Sequence, residues 1–177
     1  MFNRLFGRTN ANRAIVEALY GQIVAASRQP QLYSAWQVPD TPLGRFEMIS
    51  LHLFLFLHRV RGETGAIADV AQELTDGFFA EVEDALRGLG IGDLGVPKRM
   101  KKLARMFYGR TAAYGVALDG DDSQALADAL RRNVRPEAGE WNEAGALAAY
   151  AMTARRMLAE QQTATMLGGE LRYPVAG

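Results

Sequence analysis

Apolar residues recur at helical intervals along most of the chain, and the breaks between them are rich in glycine and proline. Ile15, Leu19 and Ile23, with Val16 and Tyr20 beside them, predict a helix over residues 12–28 that stops at Pro30. A connector carrying Tyr33, Trp36 and Pro39 follows. Thr41 and Pro42 predict a helix start, because a hydroxyl caps unpaired amides and a proline is preset for the first turn. That second helix runs over 42–61. Ile67, Val70, Leu74, Phe78, Val82, Leu86 and Leu89 share one face of a third, over 66–89, with a candidate kink at Thr75, Asp76 and Gly77. Gly88, Gly90 and Gly92 then break the chain. A fourth helix is predicted over 97–118, a fifth over 123–133 and a sixth over 142–162, separated by loops at 119–122 and 136–140. No stretch alternates with period two for long enough to make a strand. The pattern predicts an all-α protein: a single compact domain of about six helices over 12–167, between a flexible N-terminus (1–11) and a loose C-terminal tail (168–177).

The second helix departs from ordinary amphipathic patterning. Leu43, Phe46, Ile49, Leu53, Phe56, Leu57 and Val60 cover one face, and Met48, Leu51 and Leu55 cover nearly the opposite one. Only Arg45, His52 and Arg59, each seven residues from the next, form a polar stripe. A helix apolar almost all round is either central to a bundle or leaves an apolar face for a partner, and the central place is the expectation here. The expected core is Phe46, Ile49, Leu53, Leu57, Val70, Leu74, Phe78, Leu103, Phe107 and Tyr114. The stripe offers an alternative function, a small-ligand site for an acidic molecule held by Arg45, His52 and Arg59.

Composition narrows the chemistry. Twenty basic residues balance 20 acidic ones, so no global field draws the protein to nucleic acid or lipid, and electrostatic attraction has to be local. The chain has no cysteine, which excludes disulfides, thiolate metal sites and a cysteine nucleophile. His52 and His58 are the only histidines, six residues apart and diverging on a helix, and no HExxH or paired ExxH motif occurs. The glycines at 88, 90 and 92 follow a helix rather than a strand and lack the GxxxxGK[ST] pattern, so they read as a helix end and turn. No catalytic residue, metal site or cofactor is expected. The N-terminal segment MFNRLFGRTN has no signal-peptide core, and the protein is expected in the cytoplasm. Phe2, Leu5 and Phe6 beside Arg4 and Arg8 offer an interfacial foot, with a frayed or folded-back terminus as the plainer reading.

The stretch from Leu74 to Arg110 carries the most information. An acidic helix face (Glu73, Asp76, Glu83 and Asp84) is followed by the glycine turn and then by a basic helix. Lys98, Lys101, Lys102 and Arg105 fall within about a third of that helix's circumference, and Gly109 extends the same face. No acidic residue interrupts 98–110. Such a face suits anionic lipid, ribosomal RNA or an acidic protein patch. Its plainer alternatives are a solvated surface and an internal match to the acidic helix. DNA is not an expected partner.

These residues resemble the ubiquinol–cytochrome c chaperone family over 40–118. The likeness rests on Asp76, Phe79 and Glu81 in a D-x-x-F-x-E/D pattern, Gly90 in the turn, Val96, Lys98, Lys101 and Lys102 in a V-x-K/R-x-x-K run, and Phe107, Tyr108, Gly109 and Arg110 at the end. Without a mitochondrial presequence the chain resembles the bacterial branch. The resemblance implies a non-enzymatic assembly factor that binds cytochrome b or another bc1 subunit. It also implies a small partner protein and a contact with the ribosome, and the basic helix offers the anionic inner-membrane surface as the alternative peripheral contact. Partner contacts are expected at Asp76, Phe79, Lys98, Lys101, Lys102, Arg105, Phe107, Tyr108, Gly109 and Arg110. An RNA- or ribosome-binding module built on the basic helix 98–110 is the other alternative.

Overall fold

The computed structural model describes the backbone of residues 3–177 and the side chains of residues 12–177. Eight helices are present among the described residues: α1 (Asn3–Ser27), α2 (Pro30–Ser34), α3 (Pro42–Arg59), α4 (Ala66–Gly88), α5 (Val96–Asp119), α6 (Ser123–Val134), α7 (Ala144–Ala159) and α8 (Thr163–Leu167). Six are long and two, α2 and α8, have five residues. The six long ones are the six read from hydrophobic spacing. The two short ones were too brief to leave a periodic signal. Helix α1 begins at Asn3 rather than at residue 12. The expected foot of Phe2, Leu5 and Phe6 lies outside the residues whose side chains are described.

Local signals place the helix ends. Thr41 Oγ1 accepts the Gly44 amide at 3.1 Å with Pro42 in the first turn, and Asp122 accepts the Ala125 amide at 2.8 Å to open α6. Helix α4 ends in a Schellman turn. Gly90, at φ +79°, donates to the Arg87 carbonyl, and the Ile91 amide donates to the Leu86 carbonyl. Thr75 does not break α4; its hydroxyl turns back onto the Ala71 carbonyl at 2.8 Å and the helix continues.

Helix α3 lies at the centre, packed against α1, α4, α5, α6 and α7. Both of its apolar faces are largely buried, Phe46, Leu53 and Phe56 on one and Met48, Leu51 and Leu55 on the other, while Leu43 at its start is exposed. Of the expected core, Ile49, Leu57 and Leu103 are only half-buried, lying against the main cluster at its edge.

The C-terminal segment corrects the expectation of a loose tail. Leu171 and Ala176 are buried, and three glutamines hold the extended backbone by both ends of their amides. Gln22 donates to the Gly169 carbonyl and accepts the Leu171 amide, both at 2.7 Å. Gln29 donates to Pro174 and accepts from Ala176, and Gln161 does the same with the Arg172 carbonyl and amide. Side-chain amides here supply the pairing that a strand would have obtained from a sheet.

Candidate functional site

Helices α4 and α5 form a hairpin whose inner seam is aromatic. Phe78 and Phe79 meet Phe107 at ring-centre distances of 5.6 Å each, and Phe79 reaches Tyr108 at 6.2 Å. The seam is locked to the rest of the fold on two sides. Tyr20 of α1 donates to Glu81 at 3.0 Å. Arg110 of α5 pairs with Glu47 of α3 at 2.7 Å, with both side chains almost wholly buried. Burial pushes the Glu47 carboxyl up to about 7, against the downward pull of the Arg110 charge. Ser50 Oγ and Arg110 Nε are buried without a protein partner.

The ten expected contact residues therefore divide. Phe107 is 1% exposed and Arg110 faces inward onto Glu47, so both hold the hairpin in place. Phe79 is half-buried in the aromatic seam. Asp76 is exposed on α4 and accepts from Gln72 at 2.9 Å. Lys98, Lys101, Lys102, Arg105, Tyr108 and Gly109 all point to solvent. Among the described residues, none of the four cations joins an ion pair. The internal match between acidic α4 and basic α5 does not form; the α4 residue Arg87 instead takes Glu83 of its own helix and Asp93 of the turn.

Beyond Arg105 the outward face of α5 loses its charge. Gly109, Ala112, Ala113 and Val116 continue the register of Lys98, Lys102 and Arg105, and all four are exposed. Val116 is 77% exposed and Tyr108 59%. This face borders a groove of about 380 Å3 between α3 and α5, floored by Phe54 and Leu57 and walled by Tyr108, Ala112 and Val116. A Cβ at Gly115 would meet the Phe54 ring at 3.9 Å, an ordinary van der Waals contact, so the packing there does not require a glycine. A polar cluster closes one end. Arg61 donates twice to Asp119 at 3.0 Å, and His58 lies 2.9 Å away, so Asp119 is held down at about 2 by its hydrogen bonds with Arg61 and His58.

The stripe of α3 does not assemble a ligand site. Arg45 is exposed and bound to Asp40. Arg59 is folded onto Glu63 and the carbonyls of Leu158 and Gln161. His52 is fully buried: Nδ1 lies 2.7 Å from the Met48 carbonyl and Nε2 lies 2.8 Å from the Tyr150 hydroxyl. A carbonyl only accepts, so Nδ1 carries the proton and Tyr150 donates to Nε2. Burial lowers the imidazole to about 4, so it stays neutral. Seven-residue spacing aligns the three Cβ directions, but neighbouring helices decide which of them reaches water. No group of three or more metal-ligating side chains converges among the described residues.

Sequence reading passed over three features. Glu47 was detectable as a lone carboxylate inside an apolar helix. Val116 was detectable by carrying the basic face two further turns. Leu94, fully exposed in the turn, left no periodic signal.

The described residues form an all-helical fold with an uncharged outer face on α5 bordering the α3–α5 groove, a surface suited to binding. The ubiquinol–cytochrome c chaperone family model matches residues 34–173, and the chain belongs to that family. Its fold is similar to the crystal structure of the Cbp3 homolog from Brucella abortus, with a TM-score of 0.91 and 55% identity, covering 98% of this chain and 97% of that one. Comparison with curated proteins gives no match.

Proposed function

We propose that this protein is an assembly chaperone of the bc1 complex that holds cytochrome b without catalysing a reaction on it. The observation that carries the reading is the exposed, uncharged face of α5, Tyr108 to Val116, opening onto the α3–α5 groove. Small residues at 109, 112 and 113 let another helix backbone approach closely, and Phe54 and Leu57 give it apolar surface to cover. A newly made membrane helix has the complementary surface: apolar, uncharged and without a partner until assembly. Family membership and the likeness to the Cbp3 homolog support the same class of client. Cytoplasmic residence at the inner membrane and a small partner protein belong to this proposal. Among the described residues no helix is long and apolar enough to cross a membrane.

The test is site-specific photo-crosslinking in the native host, with the reactive side chain at Val116 or at exposed Ala149 on α7. Cytochrome b adducts at position 116 and none at 149 are the expected result. Equal labelling, or no cytochrome b at either position, would overturn the assignment of the face. In cells lacking the gene, reduced-minus-oxidised spectra should lose the cytochrome b and c1 signals selectively. A Tyr108→Glu/Val116→Glu chain should fold yet fail to restore them.

A further inference from the structure

The tip of the α4–α5 hairpin combines two features that nothing else in the described molecule brings together. Leu94 is 100% exposed and Leu89 is 60% exposed, in a seven-residue turn that also holds Ile91. Immediately beyond the turn, the first three turns of α5 carry Lys98, Arg99, Lys101, Lys102 and Arg105, all exposed and outside any ion pair among the described residues. The one acid of the tip, Asp93, is bound to Arg87. Aliphatic side chains projecting beside a ring of cations match the boundary of an anionic bilayer, where hydrocarbon begins just beneath phosphate.

We infer that this tip docks the protein on an anionic lipid surface, with Leu89 and Leu94 entering the headgroup layer and the α5 cations meeting lipid phosphates. Neither RNA nor an acidic protein patch calls for a leucine held wholly in water at the apex. An RNA surface would instead be expected to carry aromatic residues among the cations, and positions 98–105 have none. Asp76 and Asp84 are exposed on α4, the other helix of the hairpin. The tip is separate from the uncharged face of the same helix. Tyr108 lies twelve residues beyond Val96, about 18 Å along the axis. The docked tip would thus leave the groove open above the headgroups, within reach of a client leaving the membrane surface.

Vesicle flotation of the full chain tests this without any client, so its failure is separate from failure of the proposed function. Vesicles of phosphatidylcholine with phosphatidylglycerol should carry the protein, and vesicles of phosphatidylcholine alone should not. Binding should fall steeply between about 0.1 and 0.5 M salt as the charges are screened. Leu89→Ser/Leu94→Ser and Lys101→Glu/Lys102→Glu should each lower the partition coefficient by about tenfold or more, with thermal unfolding unchanged. Binding that survives both pairs of substitutions would overturn the inference and move lipid contact elsewhere. Absence of binding to the anionic vesicles would overturn it outright, as would equal binding to both lipids. RNA capture lost on Lys101→Glu/Lys102→Glu but unaffected by Leu89→Ser/Leu94→Ser would replace lipid with nucleic acid as the partner.

Discussion

The side of the molecule formed by α1, α7 and the C-terminal segment closes its polar groups onto itself, whereas the α4–α5 hairpin leaves them to solvent. On the first side Gln29 bonds Tyr150 and the tail backbone, Tyr150 bonds His52, and Tyr173 donates to the His52 carbonyl at 2.7 Å. Trp141 donates its indole proton to the Trp36 carbonyl at 2.9 Å. On the hairpin, five cations and two leucines have no partner among the described residues to pair with or cover them. Satisfied buried polar groups fix one packing arrangement, and exposed unpaired ones add little to stability, so they are available for binding. The contrast also divides the family signature. Phe79 and Phe107 join the two helices of the hairpin, Glu81 and Arg110 tie it to α1 and α3, and Lys98, Lys101, Lys102 and Gly109 face outward.

The largest effect should come from the centre of the closed body. Phe56→Ala removes a wholly buried ring from α3 and should cost about 3–5 kcal/mol in denaturant unfolding. A loss below 1 kcal/mol would mean that α3 is not the organising element.

The Glu47–Arg110 pair ties the hairpin to the central helix α3, and it should respond to pH. Glu47 has a raised value of about 7 when folded and an ordinary value of 4.5 when unfolded. The folded chain therefore holds an extra proton between these values. This group's contribution to stability is present below about pH 4.5 and is lost as pH rises to about 7. Relative to the parent, Glu47→Gln should gain on the order of 3 kcal/mol across that window. Parallel stability curves for the two proteins would show that Glu47 is ionised throughout.

A smaller loss is expected at the tail. Gln29→Ala breaks the amide's bonds to Pro174 and Ala176 and should cost about 1–2 kcal/mol. Hydrogen exchange should accelerate over 171–177 without changing in α4 and α5. Protection lost equally everywhere would mean that the tail and the hairpin unfold as one unit.

The smallest effect on stability should come from the hairpin surface. Tyr108→Glu/Val116→Glu should stay within about 0.5 kcal/mol of the parent, because both positions are mainly exposed. A large loss would make this face part of the scaffold and remove the contrast between the two regions.

The six long helices, most of their bounds and the central place of α3 were legible in the chain, because each follows from short-range spacing. Thr41 and Asp122 accept amides three residues on, Pro42 is preset for the first helical turn, and a helix apolar on two opposite faces is expected to be covered on both. The outward cations of α5 were legible for the same reason. Only the tertiary structure decided that His52 is buried and neutral, that Arg110 turns inward, and that glutamines on α1 and after α7 bind the tail. Most of those outcomes depend on partners about 60 to 150 residues away in the chain, such as Glu47 for Arg110 and the Leu171 amide for Gln22, while Gln161 meets Arg172 across 11 residues. A residue's periodicity sets the direction of its side chain, but the neighbour it meets there is set by the packing of other helices.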